Sequence, residues 1–166
     1  GVRLVGSEMC IRDRYSSSKL RDIIIKKINP KKKIRYKKIY LDRENSTYRS
    51  IINYNDVINY YKKQGYKIIR MEKLSFDDQV YIISKADFIA GPTGASFASL
   101  LFCKKRAKVT LLMPKNYHSA YFLWANLSRF LDIEMNIVAC KTKIKFYSFF
   151  SKMHADYFVE IDDLKN

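Results

Sequence analysis

The chain has 166 residues, is 48% hydrophobic, and carries 32 Lys and Arg against 16 Asp and Glu for a net charge of +16. That length suits one domain with a single core and excludes two full ones, and no run of about 18 apolar residues offers a membrane-spanning helix. Cys10, Cys103 and Cys140 are scattered, so they make neither a disulfide framework nor a metal site, and they fit a reducing cytoplasm.

In chain order, the stretch from Leu4 to Arg14 back-translates into a string that resembles a transposon-end adapter from sequencing libraries. Residues 1–14 are therefore expected to be an artefact, with the natural chain starting near Tyr15 as one domain over residues 15–166, and they stay outside the fold reading. Setting aside three arginines (Arg3, Arg12, Arg14) and two acids (Glu8, Asp13) leaves +15. Such a balance suits nucleic acid, an anionic membrane face or phosphate-bearing substrates. Part of it also follows the abundance of Lys, Ile, Asn and Tyr, the residues of AT-rich codons.

Ser18 caps a predicted helix with Leu20, Ile23, Ile24 and Ile28 on one face, ending before Asn29-Pro30. After a basic linker from Lys31 to Lys38, Ile39-Tyr40-Leu41 reads as a short strand. Asn55 to Gln64 reads as a helix closed by Gly65, and Tyr66 to Met71 as a strand. Ser75 with Asp78 forms a capping-box-like start for a helix through Lys85, followed by a buried strand from Asp87 to Ala90. Gly94 to Cys103 is predicted helical, Val109 to Met113 a strand bounded by Pro114, Ser119 to Leu131 a helix whose Tyr121, Phe122, Trp124 and Phe130 read as a core stripe, and Met135 to Ala139 a strand. The tail carries weak signals. Strands alternating with helices predict an α/β fold, a doubly wound parallel sheet with right-handed crossovers. Ligands in such sheets bind beyond the carboxyl ends of the strands, here after Leu41, Met71, Ala90 and Met113.

Those four loops hold the unusual residues. Gly91-Pro92-Thr93-Gly94-Ala95 turns from a strand into a helix, where small residues admit a ligand and helix-start amides favour phosphate; an ordinary packing turn has the same spacing. It has neither the Walker lysine nor GxGxxG spacing. Arg43 and Arg49, with Asn53 four further on, follow the first strand; two guanidiniums there match a diphosphate, and solvated surface arginines are the alternative. Glu72, Ser75, Phe76 and Gln79 follow the strand ending at Met71, with Glu72 placed to accept ribose or sugar hydroxyls and Gln79 a cap partner or ligand contact. His118 sits where acid-base work is geometrically accessible, although a lone loop histidine is more often a surface residue, and His154 carries less weight.

Taken together, these segments resemble glycosyltransferase family 61. The series is ordered: Ile39-Tyr40-Leu41-Asp42-Arg43 through Arg49-Ser50-Ile51-Ile52-Asn53, then Gly65-Tyr66 through Glu72-Lys73-Leu74-Ser75-Phe76-Asp77-Asp78-Gln79, then Ala86 through Gly91-Pro92-Thr93-Gly94-Ala95 with Leu101-Phe102 closing it. It runs from about Leu20 to Leu164. Thr93 stands where many members carry histidine and Ser99 where many carry asparagine, while bacterial members include a GPTGA form. The resemblance implies that the chain is the Rossmann-like, donor-binding half of a GT-B enzyme. It implies metal-independent, inverting transfer from a nucleoside-diphosphate sugar to an acceptor hydroxyl, with no cofactor. The implied nucleotide-sugar-binding residues are Arg43, Arg49, Asn53, Glu72, Gln79, Pro92, Thr93, Gly94, Ala95 and Ser99. Expected partners are that donor, a glycan or lipid-linked acceptor and an anionic membrane surface, and the expected setting is capsule, lipopolysaccharide or other surface-glycan synthesis in the cytoplasm or at the inner membrane face. Two other readings stand beside it: a basic nucleic-acid-binding module, for which no motif speaks, and a catalytically inert Rossmann-like fragment.

Overall fold

A computed structural model describes residues 18–31, 33–43, 47–115, 118–142 and 155–165. The expected artefact over residues 1–14, His154 and the side chain of His118 lie outside the described residues. Helix α1 occupies residues 18–27. There follow β1 (Lys38–Leu41), α2 (Tyr54–Lys63), β2 (Lys67–Ile69), a 3-10 turn (Met71–Lys73), α3 (Phe76–Lys85), β3 (Phe88–Pro92) and a 3-10 helix (Ala95–Phe102). The chain continues through β4 (Lys108–Pro114), α4 (His118–Leu131), β5 (Glu134–Thr142), β6 (Tyr157–Phe158) and a last 3-10 turn (Ile161–Leu164). The strands form one sheet in the order β2-β1-β3-β4-β5-β6. Every pairing is parallel except that of β5 with β6. This is a mixed α/β fold, compatible with a Rossmann-like one.

Strand alternation sorts the core into two layers. Ile39, Leu41, Ile89, Val109, Leu111 and Met113 pack on one face against α1, α3, the 3-10 helix and α4. Tyr40, Ala90, Leu112, Val138 and Cys140 face the other way, against α2 and the tail residues Tyr157 and Val159. Apolar runs two-sided like these are what a central parallel sheet requires, and each fully buried Leu or Ile contributes about 1.5 to 3 kcal/mol. The ends of the helices were well signalled. Gly65, at φ 79, lets its amide reach the Lys62 carbonyl while the Tyr66 amide reaches Tyr61, which closes α2 in a Schellman motif. Ser75 Oγ accepts from the Asp78 amide and donates to its carboxylate, opening α3.

Several boundaries differ from expectation for identifiable reasons. β2 is only three residues long because Met71 turns into a 3-10 bend that the Gln79 side chain holds, donating to the carbonyls of Met71 and Leu74 at 2.9 and 3.1 Å. β3 runs on through Gly91 and Pro92, so the turn begins at Thr93. Pro92 is tolerated as the last strand residue, where its missing N–H matters least. The segment from Gly94 to Cys103 winds as a 3-10 helix over Ala95–Phe102 and not as an α-helix; Ser99 Oγ donates to the Ser96 carbonyl at 2.5 Å, a local bond that competes with regular winding. β5 extends to Thr142 because β6 pairs with Lys141 and Thr142 after β4 has ended. On α1 it is Ile24, Ile25 and Ile28 that pack, while Leu20 and Ile23 are exposed. On α4 Trp124 is buried edge-on to Phe97, whereas Phe122 is 75% exposed. Positions two apart lie about 200° around a helix, so the two could not share the expected stripe.

Candidate functional site

The chain passes from β1 out to β2 and then back across β1 to β3, so the reversal of strand order falls between β1 and β3. From β1 it leaves toward α2 on one face, and from β3 toward the 3-10 helix on the other. A crevice opens at the carboxyl end between two such strands, the usual ligand position in doubly wound sheets. Arg43 spans it. Its Nη1 donates to the Thr93 carbonyl at 2.9 Å, and its side chain lies over Gly94, where an added Cβ would stand 3.2 Å from Cδ and Nη1. Gly94 is extended, at φ 172, so what it supplies is room and not unusual backbone. Gly91 has a different duty: an added Cβ would come within 2.6 Å of the Leu41 carbonyl, so it sets how closely β1 and β3 approach.

Arg49 sits beside Arg43 with left-handed backbone, φ 58, a conformation that a non-glycine residue keeps only when its surroundings impose it. The tail imposes it here. Asp156 Oδ1 accepts from the Ser50 amide at 2.8 Å, and the backbones of Ser50 and Ile52 both bond to Tyr157. Arg43 and Arg49 line a common cavity of about 40 Å³ with Tyr40, Tyr54 and Pro92. Burial lowers the Arg43 pKa, and the like charge of Arg49 lowers it further. An anion placed between the two guanidiniums would relieve both effects.

The other expected residues divide. Thr93 is 1% exposed, and its amide is committed to the Leu112 carbonyl at 2.8 Å, so its backbone meets the crevice with a carbonyl and not with a donor. The amides left for an anion by their place at the helix start are those of Gly94 and Ala95. Pro92 lines the small cavity. Asn53 is drawn away from the crevice: its carboxamide donates to the Val159 carbonyl at 2.8 Å and accepts the Val159 amide at 3.0 Å, joining the tail to the start of α2. Gln79 holds the Met71–Leu74 turn, Ser99 is turned into its own helix, and Glu72 is exposed on the turn after β2.

Sequence reasoning missed Asp42. It follows β1, is 3% exposed, and accepts from Tyr54 Oη and Arg70 Nε, each at 2.9 Å. Burial first, and then this bond to Asp42, push the Tyr54 pKa up and keep the phenol a donor. An acid directly after a buried apolar strand is the one sequence signal for such a residue; its partner Arg70, at the end of another strand, is not readable from spacing.

A groove of about 570 Å³ adjoins Asp42 and Tyr54, walled by Asn55, Asn59 and Lys62 of α2 and by Arg70, Lys73 and Leu74 beyond β2. A separate cavity of about 200 Å³, lined by Arg21, Lys105 and Arg129, lies toward the amino ends of the strands, away from the crevice. Among the described residues no group of three His, Cys, Asp or Glu side chains is placed to hold a metal ion, and no helix is long and apolar enough to cross a membrane.

No curated protein matches the chain. The family model described as Glycosyltransferase 61 matches residues 9–110, a span shorter than the motif series suggested at its carboxyl end. Both arginines, the Asp42 network and the Gly91–Ala95 turn lie inside that match, and the chain belongs to glycosyltransferase family 61.

Proposed function

We propose that the crevice between β1 and β3 holds the diphosphate of a nucleoside-diphosphate sugar, and that this domain is the donor-binding half of a GT-B enzyme. A glycosyltransferase binds a sugar donor and an acceptor, and the observation that carries the donor assignment is the reach of Arg43 across the reversal point to Thr93. That bond caps the Thr93 carbonyl and sets the Arg43 guanidinium across the crevice, with Arg49 lining the same small cavity and the amides of Gly94 and Ala95 at the helix start beside it. In an inverting transfer the acceptor oxygen bonds to the anomeric carbon as the bond to the diphosphate breaks, and negative charge develops on the departing phosphate oxygens. Fixed guanidiniums are suited to stabilise that charge without a metal ion. The net charge of +16 supports an enzyme that meets an anionic membrane face and a lipid-linked or glycan acceptor in surface-glycan synthesis, and the scattered cysteines fit a cytoplasmic setting.

Calorimetric titration of the whole chain with uridine, guanosine and cytidine diphosphates, with and without a chelator, tests this reading. One of the three binds, the chelator does not abolish binding, and Arg49→Ala weakens it by about 1.5 to 3 kcal/mol, the worth of a charged hydrogen bond. A folded chain that binds none of them overturns the reading.

A further inference from the structure

β1 turns Ile39 and Leu41 to one layer and Tyr40 to the other. Tyr40 is 0% exposed, its ring is packed on Tyr61 with centroids 4.7 Å apart, and its hydroxyl is buried without a hydrogen-bond partner among the described residues. Two neighbouring phenols are satisfied: Tyr54 donates to Asp42 at 2.9 Å and Tyr157 to the Leu112 carbonyl at 3.3 Å. Leaving a buried O–H unbonded costs its full desolvation, so an acceptor from outside the protein is called for. The same small cavity that Arg43 and Arg49 line is also lined by Tyr40. At about 40 Å³ it has room for a few oxygen-sized atoms, since one water needs about 10 to 15 Å³ of such space. The charges around it choose the kind of oxygen: two guanidiniums favour an anionic one.

We propose that Tyr40 is a further donor-binding residue, whose hydroxyl donates to a phosphate oxygen that enters the cavity between Arg43 and Arg49. The inference rests on the donor reading of the crevice and adds a contact from inside the sheet that neither arginine supplies. Burial, foremost, holds the Tyr40 pKa well above that of an ordinary phenol, so the group stays an O–H donor beside the anion. Its bond forms only in the complex, because among the described residues no protein atom accepts the proton. Removing the hydroxyl therefore affects binding and not folding, the reverse of what a structural tyrosine does.

Tyr40→Phe, compared with the unaltered whole chain, separates these cases. Affinity for the nucleoside diphosphate that the unaltered chain binds best is measured by calorimetry, and the melting temperature is measured without ligand. The dissociation constant rises about tenfold, as for loss of one bond to a charged group, while the ligand-free melting temperature stays or rises. An unchanged dissociation constant overturns the inference and leaves the donor reading standing. Any fall in the ligand-free melting temperature, or failure to fold, also overturns it, since a resident water or a protein group would then already satisfy the hydroxyl. If the unaltered chain binds no nucleoside diphosphate, the donor reading fails first and the inference with it.

Discussion

The two sides of the crevice are built in different ways. The β3 side comes from one short run: Gly91, Pro92, Thr93 and Gly94 are consecutive, and that run meets Leu41, Arg43 and Leu112 across the sheet. The β1 side is held from a distance. Asp42 is fixed by Arg70, Ser50 by Asp156, and Asn53 by Val159, partners 28 to 106 residues away. A site assembled this way has one wall that local substitutions break and another that fails when remote segments loosen.

The largest expected effect comes from the local wall. Gly91→Ala puts a methyl into the Leu41 carbonyl, which belongs to the backbone and cannot give way, so urea unfolding should register a loss of about 3 kcal/mol. Gly94→Ala is the contrasting case: its methyl meets the Arg43 side chain, which can move, so stability changes by less than about 1 kcal/mol while nucleotide affinity falls as Arg43 is displaced. Equal losses of stability from the two would remove the distinction between a glycine that sets the fold and a glycine that clears the site.

On the distant wall, Asp42→Asn takes the charge from a buried carboxylate paired with a partly exposed Arg70 and should cost about 1.5 kcal/mol in urea unfolding. Asn53→Ala strips two bonds from Val159 and should cost about 1.5 kcal/mol, with faster proteolysis of the tail as the local readout. If Asn53→Ala weakened nucleotide binding with no loss of stability, its carboxamide would be a ligand contact after all. The smallest effect is a pH dependence. Burial pushes the Cys103 thiol up to about 11 from an ordinary 9.0. Between those values the unfolded chain releases a proton that the folded chain keeps. Stability is thus full below pH 9 and falls as pH rises, by about 1 kcal/mol at pH 10 for this group, a slope that Cys103→Ala should reduce in parallel melts.

The same contrast explains what the sequence disclosed. Apolar runs such as Val109 to Met113, the Ser75 cap and the Gly65 stop are local, and the α/β order of elements was legible from them. Arg43, Gly94 and Ala95 were legible because they follow strand ends. The backbone partners of Asn53 and Gln79 were not legible, because an amide side chain looks the same whether it meets a ligand or a carbonyl. β6, with two residues paired to the end of β5, has too short a pattern to announce itself, yet it completes the layer around Tyr157 that holds the Arg49 loop.

The central claim, that the diphosphate lies between β1 and β3, is tested most directly by following backbone amide resonances of the labelled whole chain during titration with the best-bound nucleoside diphosphate. The account predicts that the largest shifts fall at Arg43, Arg49, Gly94 and Ala95, and that Arg43→Ala suppresses them. Shifts concentrated instead around Arg21, Lys105 and Arg129 at the amino ends of the strands, with the crevice unmoved, would contradict it.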